Sequence, residues 1–202
     1  MDSNRTETDK KEKTPLIRSV YDFVELFVIA ICIVFVIFTF FVRLCRVNGP
    51  SMEKTLFDGE MLLISDLLYS PEQGDIVVFH QTGNSTSSYN ELIVKRVIAT
   101  EGQFVQIKED GVYVSDDSII DESDHLSEIE YAYLDGGKLL NHYGAFNKEP
   151  QPVPEGMLFV MGDNRNHSAD SRDPHIGYVD TRRIVGKVLF RISPLDRIGT
   201  VN

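Results

Sequence analysis

Two short stretches hold side chains whose types could do chemistry together. The first is NGPSMEKTL, residues 48–56, in which Ser51 stands between Pro50 and Met52. A serine hydroxyl is a poor nucleophile until a neighbouring base takes its proton, so the base must come from elsewhere in the chain. Histidine is the usual partner, and there are five: His80, His125, His142, His167 and His175. His167 sits beside Ser168 and Asp170 in NHSADS, the second stretch. Triad members converge from separate parts of a chain, because adjacent side chains do not readily aim at one another. His167 is therefore expected to be a loop histidine with no catalytic role. The surrounding GDNRNHSADSRDPH is rich in Asp, Asn and His, yet Arg165 and His167 occupy the alternate positions where a calcium loop needs oxygen. Zinc ligand spacing is also absent, so neither a metal nor a cofactor is expected.

Lys95 offers a different base. In ELIVKRVIAT, strand alternation puts Ile93, Lys95 and Val97 on one face and Val94, Arg96 and Ile98 on the other. An ammonium on an apolar face is desolvated, which disfavours its charged form and lowers its pKa. A neutral amine can then take the serine proton. The other reading is a lysine at a sheet edge whose amine reaches water, and the segment alone leaves both open.

The elements that would have to position these groups follow from composition and pattern. The chain has 202 residues, enough for one good core with a small subdomain. A net charge of −11, with no basic stripe, excludes nucleic acid as a partner. The two cysteines, Cys32 and Cys45, give no disulfide framework. Residues 23–42, FVELFVIAICIVFVIFTFFV, carry Glu25 as their one charge and at about 1.5 Å per residue are long enough to cross a bilayer. Bulky VRLCRVNG follows with no small-x-small site, so the segment is expected to remain as an anchor. Arg5, Lys10, Lys11, Lys13 and Arg18 precede it, against Arg43 and Arg46 after it. That bias favours a cytoplasmic N-terminus, a disordered cytoplasmic tail over 1–22, and an extracytoplasmic domain over 43–202.

Beyond the anchor the pattern is mainly β. GDIVVF, ELIVKRVIA, GMLFVMGDN and GKVLFRI read as buried strands, and QFVQIKEDGVYV as a hairpin closed by Asp110-Gly111. Residues 80–91 read as a polar loop or hairpin tip. Residues 115–156, acidic and ending in prolines, read as a small inserted subdomain or extended loops.

Three separated segments then carry a family resemblance. GPSMEKTL (Gly49 to Leu56), GDIVVF with IVKRVI (within Gly74 to Ile98) and MGDNRNHSADSR (Met161 to Arg172) resemble, in order and spacing, the three signature boxes of type I signal peptidases. The resemblance runs from the membrane helix to RISPLDRIGT and is closest to the single-anchor Gram-positive form. It implies an antiparallel β-sheet domain behind one transmembrane helix, and a cell-membrane endopeptidase that removes signal peptides from secretory preproteins after small-x-small sites. Residue by residue it implies Ser51 as nucleophile, Lys95 as general base, and Ser168 as a hydroxyl that orients the lysine amine. Asp170 with Arg172 would form a supporting ion pair, while Asp163 and Arg96 would hold the site together. The Ser51 backbone N–H would serve the oxyanion; where many relatives place a second donor serine this chain has Gly49, the remaining candidate.

Departures from the family pattern are also visible. Lys54 replaces a usual proline, which is expected to loosen the turn; ATEGQ, residues 99–103, replaces the family's Gly-x-Pro-Gly-Asp; and DPHI, residues 173–176, lengthens a loop. Two rival readings fit parts of the pattern: a self-cleaving Ser/Lys repressor-type peptidase, and a catalytically silent membrane-tethered binding module of the same fold.

Overall fold

The computed structural model describes residues 5–40, 42–81, 91–126, 138–141, 144, 147 and 149–201. The chain divides into two units, Met1–Val42 and Arg43–Asn202. The first is a single helix, α1, Arg5–Phe40. Its most apolar stretch, Arg18–Val36, has a mean hydropathy of 2.3, none of it is buried, and it is long enough to cross a membrane. The helix begins well before the apolar run. The charged segment expected to be disordered is thus helical from Arg5, consistent with its content of Glu, Lys and Arg, which are good helix formers.

The second unit is antiparallel β throughout its named strands. Seven strands form the main sheet: β1 Arg43–Arg46, β2 Met61–Ser65, β3 Ile76–Gln81, β4 Glu91–Ala99, and then, past an insertion, β8 Met157–Met161, β9 Val179–Asp180 and β10 Ile184–Ser193. Their order across the sheet is β1-β2-β10-β3-β4-β8-β9. The long final strand β10 returns to the middle of the sheet, between β2 and β3. Strand β3 is buried at four successive residues, Ile76 to Phe79, because both of its faces are covered. Ile76 and Val78 join Met52, Leu56 and Leu62 in one apolar cluster, and Val77 and Phe79 join Val97 and Val160 in another. A run apolar at every position is what such a doubly covered strand requires.

The insertion between β4 and β8 contains a second, three-stranded sheet of order β6-β5-β7, built from β5 Phe104–Lys108, β6 Gly111–Ser115 and β7 Gln151–Pro152. Lys108 pairs with Gly111, so the hairpin turns at Glu109-Asp110 rather than at Asp110-Gly111. The subdomain expected over 115–156 therefore starts earlier, at β5, and its far end comes back as β7 to pair with the same strand. The tip expected at 80–91 falls mostly outside the described residues, as does His142.

Strand β4 has the bounds its pattern implies, Glu91–Ala99. It lies between β3 and β8, with Val77 opposite Lys95 and Met161 opposite Arg96. This places the lysine in the interior of the sheet and brings the segment after β8 alongside it. The ATEGQ departure closes as a turn of its own: the Gln103 N–H returns to the Thr100 carbonyl at 3.2 Å.

Candidate active site

Ser51 lies in a single tight turn that follows β1. The Leu56 N–H bonds to the Met52 carbonyl at 2.8 Å, and the Glu53 N–H to the Pro50 carbonyl at 3.0 Å. Met52 and Leu56 are fully buried and anchor the turn in the core. Lys54 has φ +72, a left-handed conformation. Proline is locked near φ −65° and could not stand there, so this turn differs in shape from one with proline rather than being a looser copy of it.

Lys95 reaches this turn from β4. Its Nζ is 2.7 Å from Ser51 Oγ and 3.1 Å from the Val94 carbonyl oxygen. The side chain is 3% exposed. Burial pulls its pKa down from 10.5 to about 8, against the nearby carboxylates of Asp170 and Asp163, which hold it up, while Arg172 pushes it further down. In the neutral state an amine has two N–H groups and one lone pair. It can donate to the Val94 carbonyl and accept the Ser51 proton at the observed distance.

Two buried ion pairs frame the pair. Arg96 meets Asp163 through Nε–Oδ1 at 2.9 Å and Nη2–Oδ2 at 2.7 Å. Arg172 meets Asp170 through Nε–Oδ1 and Nη2–Oδ2, both at 2.8 Å. All four side chains are almost wholly excluded from solvent. Thr55 Oγ1 donates to Asp163 Oδ2 at 2.6 Å, tying the serine turn to the first pair. The Gly162 N–H donates to Asp170 Oδ2 at 3.1 Å, tying the end of β8 to the second.

Ser168 is buried and close by, but the bond expected from it to the lysine amine is not formed. Its Oγ donates to the Ala169 carbonyl at 3.5 Å, and the polar contacts of Lys95 among the described residues go to Ser51 and Val94. What Ser168 does share with Ser51 is Gly162. A Cβ added there would run into both Ser168 Oγ and the Ser51 carbonyl oxygen, so these segments approach closely only because residue 162 has no side chain.

The Gly49 N–H is also not free for substrate. Its φ is +81, and the N–H donates to Asp58 Oδ1 at 2.8 Å, a charge-assisted bond that removes it as a second oxyanion donor in this structure. The Ser51 N–H, by contrast, has no hydrogen-bond partner among the described residues. His167 is exposed, with Nδ1 3.3 Å from Asn164 Oδ1.

Ser51 and Lys95 open onto a cleft of about 290 Å³ whose walls include Met52, Leu92, Ile93, Ala169, Asp173 and Ile176. The lengthened DPHI loop supplies the last two. A larger hollow of about 520 Å³, beside Tyr69, Glu101 and Arg182, contains neither Ser51 nor Lys95.

The model of the family described as "Signal peptidase, peptidase S26" matches residues 20–193. The chain belongs to that family. It is 34% identical to a signal peptidase I of Bacillus licheniformis over 185 residues, which is 89% of this chain and 92% of the relative. It is also 34% identical to a signal peptidase IB of Staphylococcus aureus strain Mu50, over 82% of this chain and 85% of that protein. A crystal structure of a signal peptidase I from Enterococcus faecalis V583 shares 26% identity, covering 59% of this chain and 97% of the other, with a TM-score of 0.37. Membership in the signal peptidase family makes the chain a peptidase, and the resemblance read from the three sequence boxes holds.

Three residues at the site carry no signal of their role in the sequence. Thr55 and Asn164 lie inside the quoted boxes, but an Asn or Thr in a turn is ordinary, and only the fold shows what each one bonds. Arg165 is fully buried, donates Nε to the Gly162 carbonyl at 3.1 Å, and is pushed down to about 9 by burial and by Arg172.

Proposed function

We propose that this chain is a membrane-anchored serine endopeptidase that cuts signal peptides from exported preproteins after small-x-small sites, with Ser51 as nucleophile and Lys95 as general base. The observation that carries the reading is the 2.7 Å contact between the Lys95 amine and the Ser51 hydroxyl in a water-poor pocket. The neutral amine takes the serine proton as Oγ attacks the scissile carbonyl. The resulting ammonium gives that proton to the leaving amine of the mature protein. The same amine then activates water to release the signal peptide from the acyl-enzyme. The Ser51 N–H is the donor available to the oxyanion.

The substrate enters as an extended segment along the cleft, where Ala169 and the apolar wall at Leu92, Ile93 and Ile176 leave room for small side chains. Helix α1 crosses the membrane, the N-terminus lies in the cytoplasm, and residues 43–202 form the extracytoplasmic catalytic domain. The basic residues ahead of the helix support that orientation. This anchor also distinguishes the reading from a soluble self-cleaving repressor.

The deciding experiment presents a preprotein and the purified full-length protein in detergent, alongside Ser51→Ala and Lys95→Ala. Cleavage after a small-x-small site is expected from the wild type and from neither variant. Equal activity in wild type and Ser51→Ala would rule the reading out.

A further inference from the structure

The turn that carries Ser51 is gripped from one side by a single buried residue. Asn164 is 3% exposed. Its backbone N–H donates to the Ser51 carbonyl at 3.0 Å, and its side-chain Nδ2 donates to the Pro50 carbonyl at 3.1 Å. Nδ2 also lies 3.4 Å from Glu53 Oε2. A carboxylate accepts and does not donate, so Glu53 favours the amide orientation in which the NH₂ group faces Pro50.

A trans peptide unit is planar, with its carbonyl and N–H on opposite edges. The Pro50–Ser51 bond is not among the cis peptides of the chain. The Pro50 carbonyl accepts from Asn164 Nδ2 and, within the turn, from the Glu53 N–H at 3.0 Å, and holding it toward these two donors turns the Ser51 N–H the other way. That N–H is the one with no partner among the described residues, in a residue that lines the cleft. Gly49, the other candidate donor, is engaged by Asp58. The direction of one peptide plane thus decides how well the backbone meets the oxyanion.

We infer that Asn164 is a positioning residue for oxyanion stabilisation, acting through the Pro50–Ser51 peptide plane. The inference rests on Ser51 being the nucleophile. Its effect is greatest in the transition state, when negative charge develops on the substrate carbonyl oxygen, and smallest on the bound ground state.

The test compares wild type, Asn164→Asp and Asn164→Ala, all as full-length protein in detergent. Asp has nearly the size of Asn and keeps the backbone bond to Ser51, but sets a carboxylate against the Pro50 carbonyl and Glu53. The expected result is a fall in kcat of about 10- to 100-fold with KM within about two-fold, less than the loss of a whole oxyanion donor. Asn164→Ala should fall in the same direction by a smaller factor. The acid limb of the pH profile should not move in Asn164→Ala, which adds no charge. The new carboxylate of Asn164→Asp should shift it toward higher pH, as Asp163 and Asp170 already hold the Lys95 pKa up, so kcat is compared on the alkaline plateau.

A peptide aldehyde supplies an independent readout. Ser51 Oγ bonds to the aldehyde carbon, the carbonyl electron pair moves to oxygen, and the serine proton passes to Lys95. The aldehyde should bind more weakly to both variants in proportion to kcat, while the cleaved signal peptide binds as before. Unchanged kcat and aldehyde affinity overturn the inference. So does failure of both variants to fold, or equal losses of aldehyde and product binding, because Asn164 would then be a structural clamp. If Ser51→Ala is itself as active as wild type, the underlying reading of the nucleophile has failed, a separate and distinguishable outcome.

Discussion

The two faces of β4 handle buried positive charge in opposite ways. Lys95 and Arg96 are neighbours in the chain and nearly equally buried, at 3% and 2% exposed. Arg96 is met by a carboxylate through two hydrogen bonds and by the Gly74 carbonyl at 2.7 Å. Lys95 is met by a hydroxyl and a carbonyl, neither of them ionised. The cost of burying the Arg96 guanidinium is offset by the full counter-charge of Asp163. An amine can relieve the same cost by becoming neutral. Asp163 and Asp170 lie close enough to act on Lys95, but each is held in a two-point pair by an arginine. Burial is thus common to both faces, and under the proposed mechanism the partner decides whether the cation becomes a clamp or a base.

Substitutions on the two faces should separate these roles. The largest effect is expected from Lys95→Arg, which keeps a cation but removes the lone pair; cleavage should fall by at least about 10⁴-fold, read as initial rates on a preprotein. Next is Asp163→Ala. It strands Arg96 in the interior and should cost about 3–5 kcal/mol of stability, measured by urea unfolding of the β unit, residues 43–202, within the full chain.

Lys95→Met should act in the opposite direction on stability while abolishing cleavage. With a folded pKa of about 8 against 10.5 when unmodified by the fold, the unfolded state binds the proton more tightly. Stability therefore rises with pH between about 8 and 10.5, and below about 8 the burden of charging Lys95 is fully present. At neutral pH the methionine variant should be more stable by about 1–3 kcal/mol, a gain that vanishes toward pH 10.5. The smallest effect is expected from Gly49→Ala. Its left-handed φ should cost about 1 kcal/mol, with cleavage largely retained because the Gly49 N–H serves Asp58 rather than the substrate. A large activity loss with normal stability would return Gly49 to the oxyanion site.

Much of this arrangement is readable from residues and much is not, for physical reasons. The alternation in ELIVKRVIA marks β4 because both of its faces pack on apolar clusters, and it separates Lys95 from Arg96 without any structure. The short strands β1 and β9 are invisible by the same logic, since half-exposed runs of two to four residues carry no usable period. The pair Arg172–Asp170, and Arg96 and Asp163 as separate supporting residues, could be named from the family resemblance, but that Arg96 pairs with Asp163 and the two-point geometry of both pairs come from long-range packing. The orientation of the Ser168 hydroxyl, the capture of Gly49 by Asp58 and the grip of Asn164 on the serine turn depend on single torsions and on contacts across the chain. Residue type does not encode them.

The most direct test of Lys95 as the proton acceptor is the pH dependence of kcat/KM for signal-peptide cleavage by the full-length protein. A rise of about ten-fold per pH unit up to a midpoint near 8, followed by a plateau, is the expected result. A profile that stays flat from pH 6 to pH 9 would contradict it.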